Sequence, residues 1–232
     1  MWRWTNQAIR VTFPPSPSDG LERYTVESAP GHPGIIALAF PWQGREHHAR
    51  TMERIRWFAP YVGIARDSGS GRVTVTRAGR ARIDYDLAPG DVATMRQALV
   101  SMARIARAAG AQAILAPATP PHCYERDGSA GADEERAFRA YEERLASYDF
   151  TPNRGFVGTA HQMGSCRAGA DPRASACDPW GRVRAGERSR DGVVAGLYVG
   201  DGSLFPTGIG VNPQIALMAL SRRVARTVLM ES

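Results

Sequence analysis

The sequence predicts an α+β fold: an antiparallel sheet with flanking helices over residues 1–150, then a segment of different character from about 151 to 232. Three observations carry that expectation. Residues 72–77 (RVTVTR) and 80–87 (RARIDYDL) alternate as half-buried strands do, with a turn by composition at 67–71 (DSGSG) just before them. Pro89-Gly90-Asp91 opens a segment with Val92, Met95, Leu99, Met102 and Ala106 on one helical face, closed by Gly110, so a long amphipathic helix should cover the sheet. Residues 158–192 are rich in Gly, Arg and Asp with little periodicity, the mark of a long irregular segment held by something else.

The other elements follow in chain order. Residues 34–40 (GIIALAF) form a continuous apolar run, and 58–66 (FAPYVGIAR) follows at a short interval. AQAILA at 111–116 reads as a short strand, and after the loop 117–132 a second helix starts near Asp133, burying Phe138, Tyr141, Leu145 and Tyr148. Leu197-Tyr198-Val199 is a short strand running into the turn-rich GDGSLFPTGIG. Asn212 as N-cap and Pro213 as first helical residue then start a helix carrying Ile215, Met218, Ala219, Val224, Ala225 and Val228.

Composition narrows the function classes. A chain of 232 residues, 43% hydrophobic, can bury one sizeable core or two small ones. The net charge of +6 would suit nucleic acid, but all 29 basic residues are Arg, scattered among Asp and Glu with no localised basic face, so no nucleic-acid partner is expected. Cys123, Cys166 and Cys177 give neither a disulfide framework nor a C-x-x-C pair, and His47, His48, His122 and Cys123 lack ligand spacing. No metal site is expected, and a reducing cytoplasm fits best. The start of the sequence has no signal-peptide core, and nowhere do about 18 apolar residues run together as a membrane span requires.

Three stretches could carry chemistry: the loop 159–167 (TAHQMGSCR, with His161 near its start), the loop Gly200-Asp201-Gly202-Ser203, and the helix start Val211-Asn212-Pro213-Gln214. Singly, each has a structural explanation. A histidine beside glycine readily satisfies backbone groups, an Asp between glycines binds its own turn, and an Asn before Pro caps a helix. Aromatics such as Phe40, Trp42, Trp57, Phe58 and Tyr61 fit core packing better than an alkyl pocket.

Taken together, HQMGSCR, the DP at 171–172 and LYVGDGSLFPTGIGVNPQIALMAL resemble the C-terminal signature of the glucose–methanol–choline (GMC) oxidoreductases. GHPGIIALAFPWQGREHH, APYVGIARDSGSGRVTV and the helix at 91–109 are similar to the substrate domain of the branch with long-chain fatty alcohol oxidases. The resemblance implies a flavin-dependent alcohol oxidoreductase, oxidising a primary alcohol to its aldehyde by hydride transfer to FAD. It implies His161 as active-site base, Asn212 as its partner holding the substrate oxygen, and Asp201 and Gly202 against the flavin, with Pro213 and Gln214 at the same cofactor. These residue types suit the roles: imidazole titrates near neutral pH, and an amide orients an oxygen without titrating. Free backbone N–H groups from Gln214 onward would favour negative charge on a reduced flavin.

The resemblance also implies what is missing. Family members begin with a strand, a G-x-G-x-x-G turn and a helix that receives the flavin pyrophosphate, and no such motif occurs in these residues. The glycines at 67–71 lead into a strand rather than a helix. The first residues, WRWTNQAIRVTF, resemble an interior stretch of longer members, so the expectation is a C-terminal portion that needs a separate flavin-binding half as partner. The alternative is a non-catalytic remnant or interaction subunit. Ala168 stands where relatives often carry Met.

Overall fold

The computed structural model describes residues 11–12, 24–29, 31–128, 131–186 and 192–231. In chain order the elements are β1 (Val11–Thr12), β2 (Tyr24–Ser28), α1 (Pro33–Ala39), α2 (Arg45–Glu53), β3 (Tyr61–Ala65), β4 (Arg72–Val75) and β5 (Ala81–Asp84). Then come α3 (Pro89–Ala108), β6 (Ala113–Ala116), β7 (His122–Glu125), α4 (Ala132–Ala146), β8 (Arg182–Arg184), β9 (Val193–Tyr198) and α5 (Gln214–Glu231). All strand pairings among them are antiparallel: β1-β2-β3, β4-β5, β6-β7 and β8-β9. Mixed helices and small antiparallel sheets fit the expected α+β class.

The chain divides into two compact units, neither continuous in sequence: Met1–Ala65 with Pro89–Gly158, and Arg66–Ala88 with Thr159–Ser232. In the first, β2 and β3 pair in register from Tyr24↔Ala65 to Ser28↔Tyr61, and α3 covers them. The contact is close because small residues meet: a Cβ on Gly63 would lie 3.0 Å from the Ala98 methyl, so helix and strand approach without intervening bulk. Tyr24, Val26 and Ala98 are buried here with Met102 and Ile105 against them, and Tyr24 Oη lies 2.8 Å from Ser101 Oγ.

The other side of α3 faces α4 and the β6–β7 hairpin. Ala103, Ala116, Ala118, Tyr124, Phe138, Tyr141, Leu145 and Tyr148 make this core, with the expected residues of α4 at its centre. Acidic residues open α4 and Arg144 closes it, matching the helix dipole. Tyr148, just past the helix, is tied from three sides: its hydroxyl donates to the Pro117 carbonyl and accepts from Phe156 N (3.0 Å), while its own carbonyl accepts from Arg96 Nε (2.9 Å). Its hydroxyl is thereby satisfied despite burial, and burial is the main force holding its pKa above the usual phenol value.

Two segments need more than the sequence pattern to place them. The apolar run 34–40 lies mostly in α1, because Pro33 presets the first turn and the His32 imidazole caps it, accepting from Gly34 N at 3.1 Å. The β4–β5 ribbon does alternate, yet Val73, Val75 and Ile83 are exposed rather than half-buried. A two-stranded ribbon supplies no second layer of its own. The buried apolar positions of α3 are Ala98, Ala103 and Ala106. Only Ala106 belongs to the stripe expected from the pattern.

In the second unit Cys177, Leu204 and Val224 are buried, ringed by Cys166, Ala168, Val183, Tyr198, Val199, Leu220 and Val228. Leu220, Val224 and Val228 are four residues apart, one stripe of α5. Ile215 and Met218, expected on the apolar side, face solvent. Gly181, at φ +84°, lets α5 come close: a Cβ there would sit 2.6 Å from Val224 Cγ2 and 2.7 Å from the Val199 carbonyl oxygen. Asp178 is buried beside it and accepts from Trp180 N (2.9 Å), Arg182 N (3.0 Å) and Arg182 Nε (2.6 Å). Burial by itself would raise that carboxyl, but these donors outweigh it and hold the pKa below its ordinary value.

Two outcomes follow for stability. Leu145→Ala leaves a cavity in the α3–α4 core and should cost ~2–5 kcal/mol in urea unfolding. Among the described residues the buried His122 Nδ1 has no hydrogen-bond partner, and burial, aided by Arg144, lowers the His122 pKa. The unfolded chain takes up that proton near pH ~6.5, while the folded chain resists it. Stability should therefore be intact above that pH and decline as pH falls below it, until the folded His122 also protonates. Denaturant midpoints between pH 8 and 5 should show a shallower decline in His122→Leu.

Candidate functional site

The three stretches singled out in the sequence all lie in the second unit. The loop 159–168 carries no helix or strand, and its order comes from backbone pairing with the Asp201 loop. Cys166 N donates to the Ser203 carbonyl (3.1 Å) and Ala168 N to the Leu204 carbonyl (2.9 Å). Gly164, at φ +78°, turns the chain just before this pairing. Upstream of that turn, Gln162 presses its carbonyl oxygen on Gly202, where a Cβ would stand only 2.9 Å away. The His161 loop and the Asp201–Gly202 loop are thus brought together. Gly202 is glycine because the neighbouring backbone fills the space a side chain would need.

His161 is half-buried; its backbone N–H donates to Thr159 Oγ1 (3.4 Å), and Gln162 Nε2 donates to the Thr159 carbonyl (3.1 Å). Among the described residues no hydrogen-bond partner holds its imidazole. Asp201 is the opposite case. Its Oδ1 accepts from Ser203 N at 2.9 Å and from the Ser203 hydroxyl, capping the single turn Gly202–Leu204. Those hydrogen bonds lower its pKa, so it is a fixed anion that orders its own turn.

The Asp201 loop is also fastened to α5. Ser221 Oγ donates to the Gly200 carbonyl (2.5 Å), and Val199 N donates to the Gly181 carbonyl (2.8 Å). Ser221 stands seven residues after Gln214, so the helix start projects roughly 10 Å beyond this fastening at ~1.5 Å per residue. The helix begins at Gln214, with the Pro213 carbonyl accepting from Leu217 N (2.7 Å). It starts one residue later than the sequence pattern suggests, which leaves Asn212 and Gln214 exposed and Pro213 half-buried at its mouth. Among the described residues no hydrogen bond joins His161 to Asn212.

Sequence reasoning missed the residues that hold the segment before Asn212. Arg66 Nε donates to the Gly208 carbonyl (3.1 Å), and Asp67, which takes the Tyr85 hydroxyl on Oδ2 (2.5 Å), lies against Gly208. Arg66 and Gly208 are 142 positions apart, and nothing local marks either. An open cleft of about 420 Å³ is lined by Gly164, Ser165 and Arg167 of the His161 loop, with Arg72 and Arg173. Neither His161 nor Asn212 reaches it. No group of His, Cys, Asp and Glu among the described residues could hold a metal ion, and no described helix is long and apolar enough to cross a membrane.

The loop carrying His161 is thus paired on the Asp201 turn, and the helix that begins at Gln214 is fastened beside that turn. Residues 67–221 match the family described as GMC oxidoreductase, and the chain belongs to that family. It is 31% identical over 208 residues to an uncharacterized GMC-type oxidoreductase of Mycobacterium tuberculosis, covering 90% of this chain and 29% of that protein. It is 29% identical over 190 residues to a long-chain-alcohol oxidase of Arabidopsis thaliana, covering 82% of this chain and 24% of that protein. A 6'''-hydroxyparomomycin C oxidase of Streptomyces lividus is 37% identical over 75 residues, 32% of this chain and 12% of that protein. The chain therefore spans less than a third of the length of these relatives. GMC oxidoreductases are generally flavoproteins.

Gly202→Ala should displace the His161 loop, since the added methyl meets a backbone oxygen that cannot swing aside. A cost of ~1–3 kcal/mol is expected. Hydrogen exchange by mass spectrometry should show faster exchange at 160–166, with α3 and α4 unchanged.

Proposed function

We propose that this chain is the C-terminal, substrate-side portion of an FAD-dependent alcohol oxidoreductase that converts a primary, long-chain alcohol to its aldehyde. The observation that carries the reading is the His161 loop seated on Gly202 with its imidazole free of hydrogen-bond partners among the described residues. The long-chain-alcohol oxidases among the relatives support the substrate class.

In this reading His161 takes the proton of the alcohol hydroxyl, and the Asn212 amide holds the substrate oxygen in line. The residues present fit a flavin edge. The first turn of α5 offers backbone N–H groups of Gln214 and Ile215 that no helical carbonyl takes up. Bound FAD would supply the acceptor for the hydride leaving the alcohol carbon. Asp201 contributes through the turn it orders. A flavin-binding half, absent from these residues, is the partner the reading requires.

The test is assembly with a co-expressed flavin-binding half from a GMC relative. Alcohol-dependent bleaching of flavin absorbance should appear in the assembled protein. His161→Ala should lower its rate ~10²–10⁴-fold, and Asn212→Ala should lower kcat more than it raises KM. Turnover unchanged by His161→Ala would sink the base assignment.

A further inference from the structure

The tripeptide of glycine, isoleucine and glycine at 208–210 stands two residues before Asn212, and it is gripped from a distant part of the chain. Arg66 lies across it lengthwise. Its Nε–H donates to the Gly208 carbonyl at 3.1 Å, while its aliphatic stem covers Gly210. A Cβ on Gly210 would sit 2.8 Å from Arg66 Cβ and 3.4 Å from its Cγ, and Gly210 itself is at φ +70°. Next to it Asp67 touches the first glycine, where a Cβ on Gly208 would be 2.7 Å from Oδ1. Asp67 is in turn fixed by the Tyr85 hydroxyl on Oδ2 (2.5 Å). Tyr85 is held in place by the stem of its own hairpin, because Gly71 lets the two ends close: a Cβ there would meet the Asp84 carbonyl at 2.8 Å and Tyr85 Cδ2 at 3.1 Å.

We propose that Arg66, Asp67 and Tyr85 form a clamp that sets the position of the Asn212 side-chain amide. The proposal deepens the reading of Asn212 as the group holding the substrate oxygen and rests on that reading for its catalytic meaning. Both glycines are shaped by the clamp, so the turn cannot relax toward another conformation without breaking a charge-assisted hydrogen bond and vacating tight contacts. And a two-residue tether from a fixed turn leaves Asn212 little freedom, which is what alignment requires: a displacement of about 1 Å in a positioning group can cost roughly 10²-fold in rate. These three are positioning residues, acting through the turn.

The clamp can be tested on the full 232-residue chain without flavin. The ¹⁵N side-chain resonances of Asn212, assigned by their loss in Asn212→Ala, should shift in Tyr85→Phe, Asp67→Ala and Arg66→Met. Amide exchange over 207–212 should rise at least about tenfold, the factor for loss of one good hydrogen bond, with exchange in α3 and α4 unchanged. Asp67→Asn keeps an acceptor for the Tyr85 hydroxyl and should restore both readouts toward the parent. Unmoved Asn212 resonances with unchanged exchange overturn the clamp, as does failure of Asp67→Asn to rescue. In the assembled enzyme Tyr85→Phe should lower kcat with little change in KM. A shifted Asn212 resonance with unaltered turnover supports the clamp and counts against the catalytic role of Asn212 instead.

Discussion

The second unit depends on one constraint: backbone groups of an aperiodic, glycine-rich stretch must find partners without help from a long helix or strand. Residues 166–168 meet that demand by pairing with Ser203 and Leu204, and Cys177 N and its carbonyl pair with Arg167 and Gly169. A buried backbone group left unpaired would cost about as much as a lost hydrogen bond. Side chains complete the same network. The Arg184 guanidinium donates to the Gly169 carbonyl (2.6 Å) and the Ala170 carbonyl (3.2 Å), and the Ser175 hydroxyl to the carbonyls of Gly169 (3.1 Å) and Asp171 (2.5 Å). The irregular segment is thus ordered by local polar closure, and its small apolar core of Cys177, Leu204 and Val224 is the centre around which that closure is arranged.

The first unit is ordered on different terms. Its large aromatic core binds α3, α4 and β6–β7 through burial, with Tyr124 and Phe138 edge-on at 5.2 Å and Arg107 over the Phe138 ring at 4.3 Å. Arg107 also pairs with Glu135 (2.8 Å), whose carboxyl is lowered chiefly by that hydrogen bond. Such solvent-screened pairs add little stability. The aromatic burial therefore decides the stability of this unit, and the ion pairs at its edge set which rotamers the arginines adopt.

Where the sequence could be read, it was through periodicity and punctuation. The α3 helix opens at Pro89 and gives way to Gly110 at φ +85°, and α4 buries the residues its spacing marks. Geometry without a local trace was beyond reach. The run 34–40 has the same composition as a buried strand, and it is helical because of a cap supplied by a histidine side chain. The hairpin at 72–84 belongs with the C-terminal unit, although it sits between two segments of the other. For the candidate site, the loops that meet could be named from their residues, but Arg66, Asp67 and Tyr85 could not: each is unremarkable among its neighbours and acquires a role only by contact across the fold.

His161 and Asp201 show how neighbouring loops can leave two polar groups with opposite duties. Asp201 has its Oδ1 engaged by two donors of Ser203, and those hydrogen bonds hold its carboxyl below the ordinary carboxylate value. Its charge is spent on keeping the Gly202–Leu204 turn in shape, and that turn in turn supplies the carbonyls on which the His161 loop is hung. The His161 ring takes no part in this scaffold. A group that must accept and release a proton is better left out of the structural hydrogen bonds, because each such bond would favour one protonation state over the other. The Asp201 loop thus supplies order through its own hydrogen bonds, and the His161 ring stays outside them, an arrangement compatible with the proton-transfer role proposed for His161.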